Sequence, residues 1–344
     1  MPKRSLKNKP VKVGVIGGGA WGTALANHLA GKNHQVTLWA LESEVVQSIQ
    51  KKHQNPFLKG IRLHKGLKST GDLQACCDRA DFIVVAVPAQ FVRMTLQKMK
   101  PFLSSRSILV SVSKGIETTT GHLLADIYRE VLSNALFQRL SFLSGPSFAR
   151  EVAEKHLTAV VVASTHPSIA RKVQNCFATP NFRVYTTTDV IGVELGGALK
   201  NVIAIAAGIV EGLDYSDNTR SALLTGALFE MARLGIRMGA SPPTFMGLSG
   251  VGDLILTCTG ALSRNREVGI QIGKGKKLSQ ILKDRKTVAE GVATSSVIHK
   301  LARRYKLDMP ICENVYEMVH KGKDPRRAIN ELSLRPLGKE TEGL

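Results

Sequence analysis

One lysine lies inside a strongly apolar stretch in the second half of the sequence. Residues 191–210 read IGVELGGALKNVIAIAAGIV, and their strongly polar side chains are Glu194, Lys200 and Asn201. At about 3.6 residues per turn, Glu194 and Asn201 share a helix face and Lys200 lies one position round. Such a lysine either extends its ammonium to solvent or is held for chemistry. Because Gly196, Gly197 and Gly208 let another group approach the backbone, we favour chemistry.

Acid–base catalysis is the chemistry that this lysine suits best. Burial and a neighbouring positive charge would lower the pKa of Lys200 toward neutrality. Asp253, between a glycine and two large apolar residues, is interpreted as a carboxylate held in a site and not as a solvated charge. Ser263, Arg264 and Asn265 supply a hydroxyl, a planar cation and an amide, which suit a phosphate. Taken alone, such a tripeptide is more often a surface loop.

A glycine motif near the start of the chain predicts dinucleotide binding. The segment VKVGVIGGGAWGTALA contains G-x-G-x-x-G at Gly17, Gly19 and Gly22. A predicted strand, Val11–Ile16, precedes the motif and an amphipathic helix, Thr23–Ala30, follows it, which is the required context. The first glycine permits a tight turn, the second admits a pyrophosphate and the third allows close helix–strand packing. The helix N-terminus offers unpaired N–H groups to the anion.

The residue that would contact the adenosine ribose is left open by the sequence. A carboxylate at the end of the second strand favours NAD, and a basic residue favours NADP. Here the strand is followed by Ala40, Leu41 and Glu42. Glu42 lies one or two positions late for a ribose hydroxyl, and no arginine occupies the site. The sequence therefore does not decide between NAD and NADP.

Two further loops follow predicted strands, where doubly wound folds place ligand-binding groups. They are Ser113–Gly115, which contains Lys114, and Gly145–Ala149, which contains Ser147. The nine histidines show no H-x-x-x-H spacing, and the five cysteines show no C-x-x-C. The chain also lacks a P-loop and a G-x-S-x-G nucleophile motif. We therefore predict no metal site.

The secondary-structure pattern that must position these residues changes near residue 190. Upstream, continuous apolar runs alternate with helix-length segments, which is typical of parallel strands covered on both faces. Downstream, helical patterns dominate. We predict an α/β protein: an N-terminal doubly wound, Rossmann-like parallel sheet domain followed by an all-helical C-terminal domain. The predicted strands are Val11–Ile16, Gln35–Trp39, Asp81–Val87, Ser107–Val112, Ser141–Leu143, Ala159–Ala163 and Arg183–Tyr185.

A length of 344 residues suits two domains. The polar cluster Thr186–Asp189 precedes an apolar run and signals a helix start, so we place the boundary there. The predicted parts are a basic tail (1–10), a dinucleotide-binding domain (11–189), a helical substrate and catalytic domain (190–335) and a second tail (336–344). The predicted helices include His122–Leu136, Ile191–Val210, Ser221–Met238, one after Glu290 and one from Cys312, and the predicted loops are Gly247–Gly252 and Lys274–Lys277.

Charge and composition narrow the function classes. Lys and Arg number 47 against 27 Asp and Glu, a formal charge of +20, which favours acidic ligands such as nucleic acid, anionic lipid or phosphorylated metabolites. Aromatic residues make up only 5%, which disfavours a base-stacking binder. An odd number of cysteines suits a reducing cytosol. No apolar run approaches the roughly 20 residues of a bilayer helix, and no hydrophobic signal core follows MPKRSLKNKP, so we expect a cytoplasmic protein without stable membrane insertion.

Taken together, six blocks in this order resemble the NAD(P)-dependent glycerol-3-phosphate dehydrogenases of the bacterial type. The resemblance implies reduction of dihydroxyacetone phosphate to sn-glycerol 3-phosphate with NAD(P)H, supply of phospholipid synthesis, and a homodimer. It spans about Val11 to Lys323. The blocks are GGGAWGTALA (17–26), SKGIE (113–117), SGPSFARE (144–151), GGALKNVIAIAAG (196–208), GDLILTCTG (252–260) and SRNR (263–266).

The resemblance also implies roles for individual residues. Lys200 would be the proton donor and acceptor, with Asp253 beside it. Relatives often place Arg or His where this chain has Leu41, which puts their common NADPH preference in doubt here. The implied substrate residues are Lys114, Gly145, Ser147, Lys200, Asp253, Ser263, Arg264 and Asn265. The implied cofactor residues are Gly17, Gly19, Ala20, Trp21, Gly22, Leu41, Lys114, Ala149, Arg264, Val288 and Glu290.

Two other functions are compatible with parts of the sequence. A dehydrogenase for another hydroxy acid, such as 6-phosphogluconate or ketopantoate, would share the architecture, but the family blocks argue against it. A nucleic-acid-binding protein would explain the +20 charge. It predicts basic residues in one stripe, whereas here they are scattered along the helices.

Overall fold

The computed structural model describes residues 9–283 and 289–337. They form two compact units: unit 1 comprises residues 9–113 and 125–190, and unit 2 comprises residues 114–124 and 191–337. Residues 114–124 thus group with the later part of the chain. These units are defined by compactness alone, so the domain bounds 11–189 and 190–335 stay a prediction. Most of the two predicted tails, residues 1–8 and 338–344, lies outside the described residues.

Unit 1 is built around one eight-stranded sheet, which confirms the predicted doubly wound α/β class. The strand order is β3-β2-β1-β4-β5-β6-β7-β8. Neighbouring strands are parallel except β6 and β7. The strands are β1 (Lys12–Ile16), β2 (Gln35–Trp39), β3 (Lys68–Thr70), β4 (Phe82–Val85), β5 (Ile108–Ser111), β6 (Leu140–Ser144), β7 (Thr158–Ala163) and β8 (Phe182–Thr187).

Two details of the sheet differ from the sequence prediction. Strand β3 was not predicted, because its three residues are polar and pair only with β2 at the edge of the sheet. Strand β7 runs antiparallel to β6 although its apolar run predicted a parallel strand. The β6–β7 connection contains a helix of only five residues, Ala149–Ala153. The parallel β7–β8 connection contains the eleven-residue helix that a crossover usually requires.

Eight α-helices accompany the strands among the described residues up to Phe177. The predicted helix His122–Leu136 is too long, since extended backbone at Ser133 separates it into two helices. The apolar side chains of β1, β2, α1 and α8 pack into one buried core. The helices are α1 (Ala20–Gly31), α2 (Ser43–Lys52), α3 (Leu73–Cys77), α4 (Val92–Met99), α5 (Leu124–Val131), α6 (Asn134–Phe137), α7 (Ala149–Ala153) and α8 (Pro167–Phe177).

Among the described residues of unit 2, the regular secondary-structure elements are all helices, as predicted. The predicted loop Gly247–Gly252 is wrong in part, because Leu248–Gly252 form a π-helical turn. A Cβ at Gly250 would lie 2.1 Å from the carbonyl oxygen of Phe245, so this turn needs a glycine. The helices are α9 (Val190–Gly212), α10 (Asp217–Arg237), α11 (Pro242–Phe245), α12 (Asp253–Thr259), α13 (Arg264–Gly273), α14 (Leu278–Lys283), α15 (Glu290–Tyr305), α16 (Pro310–Tyr316) and α17 (Pro325–Ser333).

Helix α9 is the central helix of unit 2. Its residues from Gly192 to Val210 are all buried. By length and composition it could span a bilayer, but 89% of its most apolar window is buried inside the protein, as in a core helix. A Cβ at Gly208 would lie 2.0 Å from the carbonyl oxygen of Arg266 in α13. Gly208 therefore lets the backbone of α13 approach α9 closely.

Candidate active site

The glycine turn of unit 1 has the geometry of an anion-binding site. Gly17 adopts φ +126°, and a Cβ there would lie 2.5 Å from the carbonyl oxygen of Ala86. A Cβ at Gly22 would lie 2.1 Å from the carbonyl oxygen of Gly17. At Gly19, by contrast, a Cβ would meet no described atom within 4 Å. Two of the three glycines are therefore required by packing, and the third leaves space for a ligand.

The start of α1 follows this turn directly. Ala20 and Trp21 are its first residues, and Gly19 caps it with extended backbone and no side-chain hydrogen bond. The first N–H groups of this helix are thus not bound by a capping side chain. Together with the positive end of the helix dipole, they suit the pyrophosphate of a dinucleotide. The residues present fit such a cofactor.

The end of β2 offers no positive charge for an adenosine ribose phosphate. Ala40 is buried, whereas Leu41 is 79% exposed. Glu42 is also exposed and precedes α2 as its N-cap residue, without a side-chain capping bond. The structure therefore places Leu41 and Glu42 beside each other at the surface of unit 1.

The Gly145–Ala149 loop of unit 1 is a tight turn after β6. Gly145 adopts φ +129°, and a Cβ there would lie 3.0 Å from the Cα atom of Val160. The hydroxyl of Ser147 donates a hydrogen bond to the carbonyl oxygen of Gly145 at 2.9 Å. Ala149 is the first residue of α7. The loop thus brings the predicted residues Gly145 and Ser147 together.

Unit 2 contains a buried cluster of three charged side chains. The Nζ atom of Lys200 in α9 lies 2.7 Å from Oδ1 of Asp253, the first residue of α12. The Nζ atom of Lys114 lies 2.6 Å from Oδ2 of the same carboxylate. Asp253 is 1% exposed and Lys200 is 7% exposed. Three residues that lie far apart in the sequence therefore meet in one cluster, which has a formal net charge of +1.

This arrangement changes the proton affinity of both partners. Burial, the largest effect, and the nearby Lys114 ammonium outweigh the attraction of Asp253 and lower the pKa of Lys200 to about 8. Burial alone would raise the pKa of Asp253, but the ammonium groups of Lys114 and Lys200 more than offset it and hold that pKa below its usual value. Near neutral pH the cluster thus combines a carboxylate with a lysine that can both give and take a proton.

Thr257 is a member of the cluster that the sequence analysis missed. Its hydroxyl accepts a hydrogen bond from Nζ of Lys200 at 2.9 Å and donates one to the backbone oxygen of Asp253 at 2.6 Å. Asp253 and Thr257 are four residues apart, so they share one face of α12. That spacing within an otherwise apolar helix is the signal that could have identified it. Two of the three N–H groups of Lys200 are directed to Asp253 and Thr257, and the third can meet a ligand oxygen.

The N-terminus of α13 contains the predicted phosphate-type tripeptide. Ser263 is the N-cap residue, and its hydroxyl accepts a hydrogen bond from the backbone N–H of Arg266. Asn265 is buried and donates to Oδ1 of Asn201 at 2.9 Å. Arg264 is exposed. Because Asn201 follows Lys200 in α9, this bond fixes the start of α13 relative to the lysine.

A second contact fixes the same asparagine from α15. Oδ1 of Asn265 accepts a hydrogen bond from the backbone N–H of Gly291 at 3.0 Å. A Cβ at Gly291 would lie 2.3 Å from the carbonyl oxygen of Asn201, so only glycine fits there. Glu290, a predicted cofactor residue, is the first residue of α15. Val288, predicted with it, lies outside the described residues.

A glycine-turn dinucleotide fold, joined to a helical unit with a buried lysine–aspartate cluster, defines a nicotinamide-dependent dehydrogenase. The comparison with protein families specifies which one. The model of the NAD-dependent glycerol-3-phosphate dehydrogenase N-terminus matches residues 12–170, and the model of its C-terminus matches residues 189–330. The chain belongs to this family.

Individual relatives are similar over nearly the whole chain. A glycerol-3-phosphate dehydrogenase [NAD(P)+] from Citrifermentans bemidjiense is 51% identical over 330 residues, covering 96% of this chain and 98% of its own. The crystal structure of a glycerol-3-phosphate dehydrogenase from Coxiella burnetii matches with a TM-score of 0.90 and 35% identity, covering 95% of this chain and 99% of its own.

A more distant structure is relevant to the alternative hypothesis of a dehydrogenase for another hydroxy acid. A ketopantoate reductase from Ralstonia eutropha has a TM-score of 0.57 and 15% identity, covering 92% of this chain and 99% of its own. A likeness at that identity shows a shared fold and nothing about substrate. The architecture common to these dehydrogenases was therefore predicted correctly, and the family match selects among them.

Proposed function

We propose that this protein interconverts dihydroxyacetone phosphate and sn-glycerol 3-phosphate, with NAD(P)H as cofactor and Lys200 as the proton donor and acceptor. The observation that supports it most is the buried Lys114–Asp253–Lys200 cluster in a chain whose two halves both match the glycerol-3-phosphate dehydrogenase family. Bound NAD(P)H supplies the hydride. The protein's own side chains supply charge stabilisation, proton transfer and phosphate binding.

Lys200 is suited to act at the reacting oxygen. When the carbonyl carbon gains a hydride, its oxygen becomes negative, and an adjacent ammonium stabilises that charge and then gives up a proton. In the reverse direction, the neutral amine takes the proton from the hydroxyl. Its pKa of about 8 allows both states near neutral pH. Asp253 and Thr257 hold the amine in place through bonds of 2.7 and 2.9 Å.

The substrate phosphate is assigned to the start of α13. Its first backbone N–H groups and helix dipole favour an anion. Arg264 is exposed there and can form a paired hydrogen bond with phosphate oxygens. Ser263 and Asn265 complete the proposed set, and Asn265 is already held by Asn201 and Gly291. Lys114, Gly145 and Ser147 are proposed as further substrate contacts.

The cofactor is assigned to the glycine turn of unit 1. Gly17 and Gly22 shape the turn, while Gly19 and the open start of α1 receive the pyrophosphate. The remaining proposed contacts, taken from the family resemblance, are Ala20, Trp21, Leu41, Lys114, Ala149, Arg264, Val288 and Glu290.

The cellular setting follows from the same proposal. Glycerol 3-phosphate is a precursor of phospholipids, so we place the enzyme in that supply. A cytoplasmic location is supported by five free, buried cysteines and by the burial of α9 inside unit 2. We also propose a homodimer and two domains, 11–189 and 190–335.

The test is an assay of purified protein with NADH and NADPH followed separately. We expect oxidation of at least one of them only when dihydroxyacetone phosphate is added. 6-Phosphogluconate and ketopantoate serve as control substrates on the same architecture. Turnover of either control substrate, with none of the triose phosphate, would refute the proposal.

A further inference from the structure

A buried asparagine outside the glycine motif is bonded to the glycine turn. Asn55 lies between α2 and β3 and is 2% exposed. Its Nδ2 atom donates to the carbonyl oxygen of Gly18 at 2.8 Å and to the hydroxyl oxygen of Thr23 at 2.7 Å. The Thr23 hydroxyl in turn lies 3.3 Å from the same Gly18 oxygen. Two side chains therefore bind one carbonyl oxygen of the turn.

The orientation of the Asn55 amide is fixed by its other end. Oδ1 accepts a hydrogen bond from the backbone N–H of Phe57 at 2.8 Å, as the cap of a short 3₁₀ turn, Pro56–Leu58. Since only an oxygen can accept from that N–H, the NH₂ group must face Gly18 and Thr23. Both ends of the amide are thus specified, and Thr23 is fully buried.

The direction of the hydrogen-bonded Gly18 carbonyl determines the direction of the Gly19 N–H. In a planar trans peptide, the C=O of one residue and the N–H of the next point in opposite directions. The described residues contain no cis peptide. Holding the Gly18 carbonyl toward Asn55 therefore turns the N–H of Gly19 away from Asn55. Of the three motif glycines, Gly19 is the one at which a Cβ would meet no described atom within 4 Å.

We propose that Asn55 is a positioning residue for the dinucleotide site: by binding the Gly18 carbonyl, it aims the Gly19 N–H at the cofactor pyrophosphate. Thr23 acts with it from inside α1. This rests on the proposed cofactor binding at the glycine turn. If the Gly18–Gly19 peptide rotates, a carbonyl oxygen faces the anion in place of an N–H, so affinity falls even though Asn55 does not touch the cofactor.

The matched control is Asn27, which ties the same connection to α1 at another point. Its Oδ1 accepts a hydrogen bond from the backbone N–H of His64 at 2.7 Å. Asn27→Ala loosens the connection between α2 and β3 without releasing Gly18. A role of Asn55 in general stability would be shared by Asn27, whereas a role in aiming the turn would not.

The test is direct titration of the purified variants with NADH and NADPH, together with thermal unfolding. Asn55→Asp keeps the acceptor for Phe57 but places an oxygen against the Gly18 oxygen. We expect its dissociation constant to rise at least about tenfold at pH 8, with Asn27→Ala within about twofold of wild type. Thr23→Val, which keeps the side-chain shape, should weaken binding by about twofold to tenfold.

Cofactor affinity measured over a range of pH distinguishes a role of Asn55 in orienting the Gly19 N–H from a purely structural role. A protonated carboxyl at position 55 can donate to Gly18 again, so the affinity of Asn55→Asp should recover toward wild type between about pH 8 and pH 6. At saturating cofactor, the kcat of all folded variants should stay near that of wild type.

Each other outcome is decisive. If Asn55→Asp binds within twofold of wild type, or if Asn27→Ala loses as much affinity as it does, the positioning role is wrong. If Asn55→Asp does not fold, unchanged cofactor affinity of Thr23→Val overturns the proposal. If wild-type protein binds neither NADH nor NADPH, the proposed function fails first.

Discussion

The two candidate ligand sites are built from different materials. In unit 1, the glycine turn offers backbone N–H groups, and its shape depends on residues that lack a side chain. In unit 2, the site consists of side-chain charges: Lys114 and Lys200 both lie within hydrogen-bonding distance of Asp253, with Asp253 and Lys200 buried and Lys114 partly buried. A backbone site can bind an anion but has no group that titrates near neutral pH. The buried lysine titrates there, so proton transfer is assigned to unit 2.

Removal of the Lys200 amine should have the largest effect, because it should impair catalysis in unit 2 and leave cofactor binding in unit 1 unchanged. We expect Lys200→Met to lower kcat for the triose phosphate by about 10²–10⁴, the usual contribution of a general acid–base group. Cofactor affinity should stay near wild type, because the glycine turn is untouched. Lys274→Met, which removes an exposed lysine of unit 2, is the control. A Lys200→Met variant with more than about a tenth of wild-type kcat would make Lys200 a structural residue.

The phosphate site at α13 tests whether side-chain geometry matters beyond charge. Arg264→Lys keeps the charge but loses the planar pair of donors. We expect KM for dihydroxyacetone phosphate to rise roughly tenfold or more, since a hydrogen bond to a charged group contributes about 1.5 kcal/mol or more. Arg303→Lys, an exposed position in α15, should leave KM unchanged. Unchanged KM values for both substrate and cofactor in Arg264→Lys would reduce the tripeptide to a surface loop.

Replacing either of the two other charged members of the cluster should shift the pKa of Lys200, and the two shifts should have opposite directions. Lys114 lowers the pKa of Lys200 and Asp253 raises it. Lys114→Met should therefore move the Lys200 titration to higher pH, and Asp253→Asn should move it to lower pH. The position of the pH limb in kcat/KM measures this even where substrate affinity also changes. Shifts in the same direction for both variants would contradict the electrostatic account.

The smallest expected effect concerns the surface beside the glycine turn. Leu41 offers no cation for a ribose phosphate, and the adjacent Glu42 would repel one. Such repulsion costs on the order of 1 kcal/mol in a partly desolvated site. We expect wild type to use NADH at least as well as NADPH, and Leu41→Arg to shift kcat/KM toward NADPH, with Leu157→Arg as an exposed control. A wild type tenfold better with NADPH would show that other residues bind the phosphate.

Local sequence patterns predicted unit 1 well. The glycine turn could be predicted because two of its three glycines meet local requirements: Gly22 lies against the carbonyl of Gly17, and Gly17 has a positive φ. The sequence could not reveal β3, whose polar edge position leaves no apolar pattern. It also could not reveal Asn55, because the Gly18 carbonyl that it binds lies 37 residues earlier in the chain.

The site of unit 2 could be predicted only in parts. Lys200 and Asp253 stood out as charges in apolar segments, and their role came with the family resemblance. Their contact depends on how α9 and α12 pack, which periodicity does not specify. Lys114 was expected from its position after a strand, but residues 114–124 group with unit 2. Thr257 could have been found from its four-residue spacing to Asp253, whereas the role of Gly291 depends on Asn265, its hydrogen-bond partner across the fold.

The most direct test of the account is the pH dependence of kcat/KM in both reaction directions for the wild-type enzyme. Reduction of dihydroxyacetone phosphate needs the protonated amine of Lys200, and oxidation of glycerol 3-phosphate needs the neutral amine. With a Lys200 pKa of about 8, reduction should decline as the pH rises through that value and oxidation should increase through it. Two limbs of the same sign, or limbs that persist unchanged in Lys200→Met, would contradict the assignment of proton transfer to this lysine.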